Sequence, residues 1–96
     1  MTDIFKIEDK AVIEPALGAN VAVRTPNGAV MLKLMKLVRE EKTDDVALLL
    51  ASNCILVDGA PIGDRVEQLN APAFMAAIKL ATSEVMPLTG VANAGE

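Results

Sequence analysis

The sequence predicts an α+β fold, mostly α, in which short N-terminal β segments precede about four helices packed on an aliphatic core. Three observations lead there. Val21, Val23 and Thr25 alternate with Ala22 and Arg24, which is the period of a half-buried strand. Later in the chain Val30, Leu34 and Val38, and then Phe74, Ile78, Ala81 and Val85, recur at helical spacing. Finally, 52% of the residues are hydrophobic but only 2% aromatic, so the interior must be built from Ala, Val, Leu, Ile and Met.

A chain of 96 residues suits one domain and is too short for two. The patterning assigns 1–86 to a single globular domain, with 1–28 extended or β and 29–86 mainly helical. Residues 87–96 read as a flexible C-terminal tail.

Ile4, Phe5 and Ile7 form a first apolar cluster, and Val12 with Ile13 a second that Glu14 and Pro15 close. Gly18 and Asn20 are turn formers, and the alternating strand follows. Thr25, Pro26, Asn27 and Gly28 read as a turn, because Pro presets φ and Asn-Gly tolerates positive φ. Two readings compete for 29–38. An Asn-Gly turn between apolar runs signals a hairpin, with 30–34 as the return strand. Against it, Val30, Leu34 and Val38 recur at four, as do Met31 and Met35, in a stretch of good helix formers. The second reading, a helix over about 29–42, is favoured.

Thr43, Asp44 and Asp45 mark the next helix start. Thr43 can cap free amides, and the acids sit where the helix dipole favours them. Residues 46–51 are apolar on every side, as expected of a buried helix, and Ser52 with Asn53 should end it. Residues 54–57 are a short apolar run with strand formers, followed by a turn over 58–61. Gly63 and Asp64 open a short helix over 65–69 with Val66 and Leu69 inward. Asn70 caps a last helix, with Pro72 in its first turn, that runs to about Met86; its apolar face is Phe74, Ile78, Ala81 and Val85, and Pro87 stops it.

The charge is −4, from 13 Asp and Glu against 9 Lys and Arg, which argues against a general nucleic-acid binder. Lys33, Lys36, Arg39 and Lys42, interspersed with Glu40 and Glu41, read as a solvated face without aromatics for base stacking. The first residues place acids where a secretion signal needs bases, and the longest apolar stretch, 46–57, is too short to span a bilayer, so a cytoplasmic protein is expected.

Nothing in the chain points to catalysis. There is no His, the commonest base and metal ligand. The single Cys54 cannot form an internal disulfide and reads as a reduced, buried thiol. Asp44 and Asp45 diverge by about 100° on a helix and do not converge on one ion. The 58–64 loop lacks the alternating acids of a calcium loop, and Gly59 and Gly63 precede no Gly-Lys-Ser/Thr. No catalytic residue, cofactor site or metal site is expected.

The unusual property is apolar excess: mean hydropathy is +0.38 in a chain too small to hide everything. Contiguous exposed apolar surface marks protein interfaces, and Met suits adaptable ones. Met31, Met35, Leu49, Met75 and Met86 are therefore the candidate protein-binding residues.

The order of elements resembles a family. A short strand ends in an Arg-Thr-Pro turn at 24–26, a helix and a more buried helix at 46–51 follow, then Val57, Asp58 and Gly59, a short helix at 64–69, and an amphipathic helix entered through Leu69, Asn70, Ala71 and Pro72. This layout, over roughly 20–86, resembles that of the small tail assembly chaperones of long-tailed bacteriophages. The resemblance implies a non-enzymatic role, coating the tape-measure protein to keep its apolar helices soluble and recruiting tail-tube proteins. It also implies a longer frameshifted form, whose junction the 87–96 tail would suit. Homo-oligomers are compatible with it; nucleic-acid and membrane partners are not expected. The rival readings are a head–tail connector or tail-terminator subunit in a ring, and a small DNA-binding regulator.

Overall fold

Val21 and Val23 organise the sheet. Both are buried, and in the computed structural model, which describes residues 4–90, they sit at the centre of strand β2 (Gly18–Arg24). β1 (Asp9–Glu14) pairs antiparallel with β2, setting Lys10 opposite Val23 and Val12 opposite Val21. The register shifts between Val12 and Glu14, an irregularity that frees Ile13 from the ladder. On the other side of β2 lies β3 (Ile55–Val57), with Val21 opposite Val57 and Val23 opposite Ile55. β4 (Ala60–Pro61) completes the sheet in the order β1-β2-β3-β4, antiparallel throughout. The β3–β4 connection is a two-residue turn with Asp58 at φ 54° and Gly59 at φ 85°, positive at both central positions, as a type I′ hairpin requires.

Between β2 and β3 run two helices, α1 (Gly28–Arg39) and α2 (Thr43–Cys54), packed against each other. The Asn27-Gly28 step is not a hairpin turn. Asn27 has extended backbone, and its side-chain oxygen accepts from the Val30 amide at 3.0 Å, so it caps α1. At the far end Glu41 takes φ 59°. The Glu41 amide donates to Val38 O at 3.1 Å and the Lys42 amide to Leu37 O at 3.0 Å, a Schellman closure with Glu where Gly is usual.

α2 departs from expectation at both ends. Its cap position is Lys42, with no side-chain cap bond, so Thr43 is not the cap; Asp44 and Asp45 do occupy the first turn. Ser52 and Asn53 do not end it. Their side chains fold back onto the Leu49 carbonyl, at 3.0 and 2.9 Å, and the helix continues to Cys54. Cys54 is thus the last helical residue rather than the first of a strand. Val46, Ala47, Leu50, Ala51 and Cys54 are buried.

After β4 a 3-10 helix (Gly63–Gln68) buries Val66, while Leu69 beyond it is only half-buried. α3 (Ala71–Leu80) begins as expected: Asn70 accepts from the Ala73 amide at 2.9 Å, with Pro72 in the first turn. The helical path reaches Met86 as expected, but not as one α-helix. A π turn (Ala81–Val85) follows α3, where Thr82 and Ser83 hydroxyls donate to carbonyls of Ile78 and Lys79, and then a 3-10 turn (Met86–Thr89) containing Pro87. Residues 87–89 of the expected tail lie in that 3-10 turn, Gly90 follows it, and 91–96 lie outside the described residues. The buried face of α3 is Ala73, Ala76, Ala77 and Leu80, joined by Ala81 and Val85; Phe74 and Ile78 are half-buried.

The fold is α+β and mostly α. Val21, Val23 and Ile55 from the sheet meet Leu34, Leu50, Ala51, Val66, Ala77, Ala81 and Val85 from the helices in one aliphatic cluster. Small alanines on α3 let it approach closely, and no polar or charged residue among the described ones is buried.

Candidate functional site

On a helix advancing about 100° per residue, Leu32 falls almost opposite Leu34 and Met35 lies at the border of that outer side. Leu34 is the only fully buried residue of α1, and Val30, Met31, Leu37 and Val38 flank it against the core. Leu32 is 71% exposed and Met35 55%. They lie three residues apart, so their side chains are neighbours on one face. Lys33, Lys36 and Arg39 border them and enter no ion pair among the described residues.

The five candidate binding residues separate into two groups. Met31, Leu49 and Met86 are half-buried and pack against the core. Met35 and Met75 are exposed, Met75 to 63%, on α1 and α3 respectively. Both helices pack against α2. The structure adds exposed apolar residues outside those five: Leu32, Leu88, Ile13, and the run of Ile4, Phe5 and Ile7. For Leu32 the signal was present. The Val30–Leu34–Val38 spacing fixes the core direction, and Leu32 falls almost opposite it.

No set of three metal-ligating side chains comes together among the described residues. Cys54 is a free, buried thiol, and burial pushes its pKa up to about 11 although the Arg24 charge opposes the shift. Arg24 is held protonated chiefly by its hydrogen bond with Asp9, Nε to Oδ1 at 2.9 Å. A shallow groove of about 700 Å³ opens between the β1–β2 turn and the 3-10 helix, with Leu17, Ile62 and Leu69 on its walls beside Asp58 and Arg65. Asn70 also borders it, but its side-chain oxygen is engaged in capping α3.

No family model, curated protein or solved structure matches the chain. The surface itself is what distinguishes the chain. Its distinctive part is apolar and helical, with Leu32 and Met35 outside the aliphatic cluster. No helix among the described residues is long and apolar enough to cross a membrane.

Proposed function

We propose that this chain is a non-enzymatic tail assembly chaperone of a long-tailed bacteriophage, acting in the host cytoplasm by binding the tape-measure protein and promoting tail-tube assembly. The observation that carries this reading is the exposure of Leu32 and Met35 on α1 while Leu34 between them is fully buried. A helix that sends one apolar set into the core and holds a second in solvent has surface to spare for another polypeptide. Met75 on α3 and Ile13 on β1 extend the apolar supply.

The mechanism is mass action. Each contact is small and adaptable, so a single engagement is weak and reversible. Copies repeated along a long apolar helix cover it against aggregation, and tail-tube subunits then displace them. The net charge of −4 keeps unbound copies apart.

A connector or terminator ring finds less support. Ring closure by strand addition needs two complementary open edges, and β4 offers two residues, one of them Pro61. A DNA-binding regulator would need aromatic side chains beside its cations for bases to stack on, and it predicts salt-dependent DNA affinity.

Co-expression tests the proposal. A tape-measure protein that is insoluble alone should become soluble with this chain and co-purify with it. The double variant Leu32→Ser, Met35→Ser should lose most of that effect while folding normally. A closed ring of fixed size in sedimentation, with no rescue of any helical tail protein, would sink the chaperone reading.

A further inference from the structure

We infer that the outer face of α1 docks an acidic amphipathic helix of the partner, a chemistry that rests on the binding role proposed above and sharpens it. α1 carries Lys33, Lys36 and Arg39 and no acid, on a chain whose net charge is −4. The other cations of the first half are engaged: Lys6 with Glu8, Lys10 with Glu84, Arg24 with Asp9, Lys42 with Glu40. The three on α1 are in no ion pair among the described residues, and they border the only two large apolar side chains that the helix exposes.

The placement is ordered. At about 100° per residue, Met35 and Leu32 occupy adjacent positions, Arg39 continues the stripe one turn beyond Met35, and Lys36 and Lys33 line its other side. An incoming helix with apolar residues at i, i+3 and i+4 can seat them between Leu32 and Met35. Acids flanking those residues then meet the cations, which fixes orientation and excludes basic segments.

An anionic membrane surface fits less well. Interfacial binding needs a broad apolar face, and most apolar residues of α1 are committed to the core. Nucleic acid would leave Leu32 and Met35 against phosphates with no aromatic side chain beside them to stack a base.

The probes are two labelled synthetic helices of about 20 residues with the same Leu pattern, one flanked by Glu and one by Lys, and anionic phospholipid vesicles. The native chain should bind the Glu peptide at least about tenfold more tightly than the Lys peptide, with affinity falling between about 0.05 and 0.3 M salt. The triple variant Lys33→Glu, Lys36→Glu, Arg39→Glu should reverse that preference. Leu32→Ser with Met35→Ser should weaken both complexes with no change in the thermal melt.

Equal binding of the two peptides, an unaltered preference in the triple variant, or capture by vesicles but not by the Glu peptide would each overturn the inference. None of these results would disturb solubilisation of a tape-measure protein in co-expression, so the two ideas fail separately.

Discussion

Lys10 on β1 reaches Glu84 in the π turn, Nζ to Oε2 at 3.3 Å, joining residues 74 positions apart in sequence. Lys10 stands opposite Val23, so its side chain leaves the sheet on the core side and runs along the edge of the aliphatic cluster before meeting the carboxylate. The pair ties the first strand to the last turns of the fold. Both groups remain well exposed, which limits its worth. In a double-mutant cycle with Lys10→Ala and Glu84→Ala we expect a coupling of about 0.2–1 kcal/mol that fades at high salt.

Leu34 and Leu32 are two residues apart and should respond oppositely. Leu34→Ala leaves a hole in a sealed interior and should cost about 2–5 kcal/mol in denaturant unfolding. Leu32→Ser should leave stability within about 0.5 kcal/mol of native and instead lower partner capture. Equal losses of stability in both variants would refute the assignment of α1's two faces.

Cys54 sets an alkaline limit. Its thiol has an ordinary pKa of 9.0 when the chain unfolds and about 11 when folded. Between those values the native state keeps a proton that the unfolded state has lost, so stability falls as pH rises from about 9 to 11. The loss is negligible below pH 9 and reaches about 2–3 kcal/mol by pH 11. Urea titrations across that range should show the decline, and Cys54→Ala should flatten it. A thiol reagent near neutral pH should modify Cys54 only on unfolding.

Glu41 closes α1 in a left-handed conformation that suits glycine better. Glu41→Gly should therefore stabilise the protein, by about 0.5–1 kcal/mol after the extra freedom of glycine in the unfolded chain is subtracted. A lower melting temperature would contradict the geometry at that cap.

The two side-chain caps predict parallel losses. Asn27→Ala and Asn70→Ala each strip an acceptor from a helix start and should each cost about 1 kcal/mol. Thr43→Ala should cost less, since Thr43 makes no cap bond to α2.

Much of this architecture is legible in sequence where one local rule acts alone. The alternation at Val21 and Val23, the Asn70–Pro72 helix start and the four-residue spacing through Leu34 each lead to the observed element. Trouble arises where two rules share one residue. Asn27 satisfies both a hairpin turn and a helix cap, and only the helix behind it decides. Asn53 is a poor helix former, yet its amide finds a carbonyl within the helix and the chain continues to Cys54. The end of α3 depends on hydroxyls of Thr82 and Ser83 competing for backbone carbonyls, a contest that periodicity does not register.

The candidate surface was half legible for a related reason. Hydrophobicity marks Met31 and Met35 equally, but one faces the cluster and the other solvent. Separating them requires knowing which residue of the helix points straight inward, and that is Leu34.

Pro61 has a bearing on how crowded molecules of this protein behave. It lies opposite Leu56, the non-hydrogen-bonded position of a two-residue hairpin, where an ordinary residue would aim its amide away from the sheet. Proline has no such donor, so the β4 side cannot template another strand, whereas β1 on the opposite side can. A sheet that accepts a neighbour from one direction only can form pairs but never endless ribbons. Pairing through β1 would join two sheets and leave each closed on its Pro61 side.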